Sequence, residues 1–358
     1  MTDLDQRITS ALRERAEGEI DTGRLLRDAR TLGRRRQVRR RLATGTALAL
    51  VGVLGLAGAV RTDVGGLPGR MPWAATTPTA VAPVPPRADA APGAAWHPDL
   101  VGGDPRVLHL GLDTRRARYL GWAVYTANRT ESIRYRVGDG RPVLVEVSPD
   151  RRAVNELLLN GLPGAEGAIP VTFDGRVREF RVGGGGVVRA WQPVPGLYAR
   201  ASMLGGDRSA LTEAVGAIRW NEARRCDAPL RLGAVPPDAQ VATCAVDVDA
   251  FPGGLTVELT IVRSPTATMS VQLVHGAQIA QDVTSGNRTV DGRPARLSAD
   301  GHQLELLGIP KAHLTATFGW LWPNEPPAGQ VDFTEAEATS VLAGTRVAPD
   351  LTDPETWD

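Results

Sequence analysis

A chain of 358 residues carries 41 basic and 40 acidic side chains, a net charge of +1, and 42% of its residues are hydrophobic. So even a balance excludes a protein that grips nucleic acid by bulk charge. Two cysteines and five scattered histidines exclude a cysteine-rich scaffold and supply no cluster with metal-ligand spacing.

Residues 1–41 hold twelve arginines and seven acidic residues, a local surplus of positive charge. Leu4, Ile8 and Leu12 fall on one face of a helix, and Leu25 and Leu26 begin a second helical stretch. The segment is expected in the cytoplasm, against anionic lipid or bound to a cytoplasmic protein partner. At Arg41 the charge stops. Residues 42–60 read LATGTALALVGVLGLAGAV, with no charged side chain. A membrane span needs about 20 apolar residues, and arginine-rich flanks stay inside. The pattern predicts one transmembrane helix over 42–60 in the cell membrane, with the bilayer as a partner. The N-terminus is then cytoplasmic and the C-terminal domain extracytoplasmic. Two readings rival it: a buried core helix, which should show a polar stripe that this segment lacks, and a cleaved leader, whose apolar run should begin much earlier.

Residues 61–98 are rich in Ala and Pro and are expected to form a linker that holds the outer domain off the membrane. From Asp99 the pattern turns globular. Strand signals at Tyr119–Thr126, Ser132–Val137 and Val143–Val147 are punctuated by Gly138-Asp139-Gly140, a hairpin turn. Further strand signals follow to Ser202, with Trp122, Trp191 and Trp220 as core candidates. A helix is expected over Ser209–Arg219.

The second half echoes the first. Phe173-Asp174-Gly175-Arg176 answers Val290-Asp291-Gly292-Arg293, and Leu197-Tyr198-Ala199 answers Leu314-Thr315-Ala316. Thr334 and Glu337 have the spacing of a capping box, which marks a second C-terminal helix. The fold class expected is α+β: a cytoplasmic helical segment, one transmembrane helix, then two related modules at 99–222 and 223–347. Each module would be an antiparallel sheet closed by one helix. Residues 348–358 would be a frayed tail.

Cys226 and Cys244 both fall in the outer region and are expected to form a disulfide. Trp320 and Trp322 alternate as on a strand: exposed, they form a candidate binding surface, and buried, they belong to the core of the second module. No Gly-x-Ser-x-Gly elbow, His-Glu-x-x-His helix or phosphate loop occurs. The reading therefore assigns no catalytic, cofactor or metal residue and no enzymatic activity. Forty of the 41 basic residues are arginine and only Lys311 is lysine, a bias typical of GC-rich coding sequence.

An Arg-terminated inner segment, one apolar helix, a Pro/Ala spacer and a β-rich outer domain resemble actinobacterial single-pass membrane proteins of anti-sigma-factor-like architecture. Residues 1–41 contain neither His nor Cys, so the zinc-type anti-sigma motif is absent. The resemblance implies a regulatory, signalling membrane protein whose tandem outer domain binds or senses an extracytoplasmic ligand. The alternative is a membrane-anchored carrier or chaperone-like module for a lipid or a peptide.

Overall fold

The structure is a computed structural model that describes residues 82–156, 178–182, 186–205, 207–279, 285–319 and 331–357. All of them lie in one compact unit, Thr76–Asp358. The cytoplasmic segment 1–41 and the span predicted at 42–60 lie outside the described residues. Among the described residues no helix is long and apolar enough to cross a membrane, so the structure does not support the single-pass topology and membrane address expected from the sequence.

Two short strands, β1 (Val107–Leu108) and β2 (Gly111–Leu112), precede a meander of β3 (Ala117–Tyr125), β4 (Thr130–Val137) and β5 (Val143–Ser148). Helix α1 (Arg151–Glu156) comes next, then β6 (Arg178–Val182), β7 (Gly186–Val194), β8 (Leu197–Leu204) and helix α2 (Arg208–Val215). Short β9 (Ile218–Arg219) and β10 (Arg224–Arg225) follow. The second half opens with β11 (Leu230–Leu232) and a meander of β12 (Gln240–Asp247), β13 (Gly254–Val262) and β14 (Thr268–Gly276). Then come β15 (Arg288–Val290), β16 (Arg293–Leu297), β17 (Gln303–Leu306), β18 (Ala312–Thr317), helix α3 (Glu335–Ala343) and β19 (Thr345–Val347).

The expected pair of separate sheet-plus-helix modules is corrected here. Thirteen described strands form one antiparallel sheet in the order β15-β16-β17-β18-β14-β13-β12-β3-β4-β5-β8-β7-β6. The chain is mostly β, and the boundary placed at 222/223 divides no sheet. The physical reason is at β3 and β12. As outer strands of separate modules, each would leave a row of amides and carbonyls unpaired. They pair with each other instead, Ala123 opposite Ala245, which fuses the halves into one sheet.

The two halves share a strand plan. In each, three meandering strands lead away from the seam, and a later hairpin adds its last strand next to the third. A helix follows, then a short strand that pairs with the one before the meander: β9 with β2, and β19 with β11. Counting outward from the seam, Glu146 and Arg200 in the first half occupy the places of Gln272 and Thr315 in the second. That register makes Arg200, not Tyr198, the counterpart of Thr315.

Successive side chains on a strand point to opposite faces. One face of the sheet is apolar in an unbroken row: Leu306, Leu314, Leu273, Val257, Val246, Trp122, Ile133, Val145 and Ala201, all buried. Leu211 and Ala214 of α2 and Val341 and Leu342 of α3 join the same cluster. The Tyr135 hydroxyl donates to the Ala214 carbonyl at 2.9 Å and ties α2 to β4. Asp207 caps α2 by accepting from the Ala210 amide, and Thr334 and Glu337 form a capping box on α3. Trp122 and Trp191 are buried, and Trp220 packs partly buried against the cluster.

Two further expectations are corrected. The described part of the linker is docked, not free: Arg225 donates its amide to the Pro86 carbonyl at 2.8 Å, and Ala94 is buried. The tail is docked as well. Trp357 is 2% exposed and meets Phe251 edge-on at 5.9 Å, because a tryptophan buried against apolar neighbours offsets the ordering of a few residues.

Candidate functional site

The second face of the sheet is polar, and it changes character from one end to the other. On β13, β14 and β18 it carries Thr256, Glu258, Thr260, Ser270, Gln272 and Thr315, all half-buried. On β5 and β8 the same face carries Glu146 and Arg200, which are buried. Arg200 Nη2 donates to Glu146 Oε2 at 2.7 Å, and its Nη1 donates to the Val154 carbonyl of α1. Removal from water pushes the Glu146 carboxyl up, and the adjacent Arg200 offsets only part of that. The first half's outer face is thus roofed by α1 where the second half's is open.

Between these regions, at the seam, lies a cavity of about 510 Å³. Its floor is Gly121, Ala123 and Ala245, three small residues side by side at the seam. Gly121 is required by close packing, since a Cβ there would sit 2.8 Å from the Val246 carbonyl oxygen. Because Gly121 has no side chain, Arg134 of β4 reaches over it to Asp247 of β12. Arg134 Nη2 lies 3.0 Å from both carboxylate oxygens and 3.7 Å from Asp249 Oδ2. This bridge closes one end of the groove and Tyr125 stands at the other, about 14 Å along an extended strand. Burial, with the negative Glu258 and Glu146 nearby, raises the Tyr125 pKa and keeps its hydroxyl protonated as a donor.

The flanks differ. Ser132, Arg141, Leu144, Ser202 and Leu204 come from the first half, and Thr256 and Glu258 from the second. Glu258 accepts from the Ser270 hydroxyl at 3.0 Å, which fixes its rotamer. The Ser202 hydroxyl and Arg134 Nε are buried and have no hydrogen-bond partner among the described residues. Buried polar groups are nearly always satisfied, so two orphans at one groove mark a place for ligand or water atoms.

The predicted disulfide is present. Cys226 and Cys244 are bonded, with Cα atoms 6.2 Å apart, on the apolar side of β12 beneath the seam. Trp122 donates its indole N–H to the Cys226 carbonyl at 2.9 Å, which ties β3 to the same point. The other predicted site residues, Trp320 and Trp322, lie outside the described residues. Three of the five histidines pair with carboxylates: buried His109 with Glu131 at 2.6 Å, half-exposed His313 with Glu305 at 2.6 Å, and exposed His97 with Asp99 at 3.8 Å. Glu131 also accepts from the Gly102 and His109 amides, a structural tie for the segment before β1. No group of three or more His, Cys, Asp or Glu side chains among the described residues is arranged to hold a metal ion.

Sequence reasoning did not find the groove. Its floor is made by two strands about 120 positions apart in the chain, and Gly and Ala carry no chemical signature of their own. The one available signal was Gly121 inside a strand pattern, which points to a bulge or a close backbone approach.

Comparison with protein-family models, with curated proteins and with solved structures finds no match. What the fold and site define is a class: one continuous antiparallel sheet of two like halves, α2 and α3 on its apolar face, and on the other face a polar groove at the seam beside the α1 roof.

Proposed function

We propose that this chain is an exported, non-catalytic binding module whose seam groove takes a short, extended peptide. The observation that carries the reading is the groove itself, a 510 Å³ cavity with a floor of Gly121, Ala123 and Ala245. Small floor residues let a ligand backbone approach the sheet. A peptide of about four residues spans the distance from the Arg134–Asp247 bridge to Tyr125. Arg141 on one flank and Glu258 on the other suit the carbonyls and amides of such a ligand, and Leu144 and Leu204 supply apolar contact. A lipid chain fits worse, because it would bury these charged groups without hydrogen bonds. The carboxylates of the groove are already engaged, Asp247 by Arg134 and Glu258 by Ser270, which favours binding over acid–base chemistry. The disulfide supports an oxidising, extracytoplasmic address.

The test is calorimetric titration of the full chain with a pool of short synthetic peptides, beside the variant Ala245→Trp. Ala245 is half-buried on the open face, so the larger ring fills the groove without entering the core. The expected result is saturable binding to the wild type and at least a tenfold loss in the variant, about 1.4 kcal/mol. Equal binding by the two proteins, or none by either, overturns the reading.

A further inference from the structure

Far from the seam, a second cavity of about 370 Å³ opens at the end of β14, lined by His275, Arg293, Lys311 and the segment Val347–Thr352. Its basic groups come from three separate parts of the second half. His275 is next to last in β14, Arg293 begins β16, and Lys311 sits in the turn before β18. Lys311 is the one lysine among 41 basic residues, in a chain that otherwise uses arginine for every fixed positive charge. It holds a left-handed backbone conformation, φ +52°, in the turn after Pro310. His275 is 6% exposed, and its Nδ1 is buried with no hydrogen-bond partner among the described residues.

The cavity also holds one anion, Asp350. Its Oδ1 is already engaged by the Thr352 amide at 2.8 Å and the Thr352 hydroxyl at 2.7 Å. One carboxylate facing two fixed cations leaves a surplus of positive charge before His275 protonates. An orphaned ring nitrogen beneath two exposed cations has the donor set of an oxyanion site.

We propose that this pocket binds a phosphate group, with Lys311 and Arg293 as fixed charges at its rim and His275 as a donor at its floor. The cavity has room for a substituent on that phosphate, so its source is either the free ion or a small phosphate monoester. In the empty pocket, burial and the Lys311 charge, against a smaller opposing pull from Asp350, hold the His275 pKa below its usual value. A bound dianion favours the protonated ring and reverses that shift.

The single lysine makes the experiment clean. An amine-reactive reagent labels only Lys311 and the N-terminal amine of the full chain, so the N-terminus serves as an internal control. Inorganic phosphate and glycerol phosphate are the two probes, with chloride at matched ionic strength as the blank. The expected result is that one or both phosphates slow Lys311 labelling at least tenfold while leaving the N-terminus unchanged, the stronger protector identifying the source. In parallel, the His275 ring proton resonance should titrate at higher pH with phosphate bound. His275→Gln and Arg293→Gln should each weaken protection about tenfold, with unchanged circular dichroism showing that the variants fold. Labelling unaffected by both phosphates, or protection that survives both substitutions, overturns the proposal. It stands apart from the seam groove, and either reading can fail alone.

Discussion

The same place in the two halves of the sheet holds Glu146 with Arg200 on one side of the seam and Gln272 with Thr315 on the other. The first pair is buried beneath α1 and the second is half-buried on an open face. A shared strand plan therefore does not dictate a shared surface. Where the first half places a helix on its outer face, the polar row beneath it must pair internally. Where the second half leaves the face open, Gln272 and Thr315 stay half-buried and need no such internal pair. The groove lies on the border because it borrows a raised flank from one half and an open one from the other.

The largest effect expected from breaking this comparison is at the buried pair. Arg200→Met leaves Glu146 uncompensated out of water and should cost about 3–5 kcal/mol in denaturant unfolding. Thr315→Val, at the matching place, should cost under about 0.5 kcal/mol. Replacing Glu146 by Leu together with Arg200 by Met should recover most of the loss. If the two single substitutions cost the same, the halves do not differ as described.

Next in size is the disulfide. Cys226 and Cys244 are 18 positions apart, and the loop they close is worth about 3 kcal/mol by chain entropy. Cys226→Ser with Cys244→Ser should lower stability by about that amount, read as a lower denaturation midpoint. Gly121→Ala tests the seam. A Cβ 2.8 Å from the Val246 carbonyl forces β3 and β12 apart, at about 1–3 kcal/mol. Amide exchange should then speed up on β3 and β12 before the outer strands.

The smallest expected effects are at the helix caps, where the halves are alike. Asp207→Ala on α2 and Thr334→Ala on α3 should each cost about 1 kcal/mol. The second has a pH signature. Burial alone would raise the Glu337 pKa, but its bonds from the Thr334 amide, Arg263 and the Thr334 hydroxyl together hold it below the usual value. A carboxylate depressed in the folded state stabilises above its unfolded pKa, about 4.3, and loses that contribution as pH falls through the folded value. Thr334→Ala should thus shrink the acid-dependent part of stability, while Asp207→Ala should leave the Glu337 contribution intact.

Much of this was written locally. The alternating Ile133, Tyr135 and Val137 announce a strand, Gly138-Asp139-Gly140 a turn, and Thr334 with Glu337 a helix start. The two cysteines announced their own bond. What stayed hidden depends on partners far away in the chain. Nothing around Ala123 says that it faces Ala245, and nothing in the alternation on β3 says whether its outer edge is free or paired. Isolated modules and a fused sheet share the same periodicity. The frayed tail expected over 348–358 is docked instead, because the place of Trp357 beside Phe251 forms only when the chain closes. The roof over Glu146 and Arg200 was equally silent, since a six-residue helix has too little length to show a buried stripe.

The most direct measurement of the central claim is the methyl spectrum of the full chain labelled at alanine, recorded during titration with the short-peptide pool. A ligand lying along the seam touches both halves at once, so the Ala123 and Ala245 methyl signals should shift together and saturate at the same concentration. Saturable shifts confined to one half, or no shift at either alanine, would contradict it.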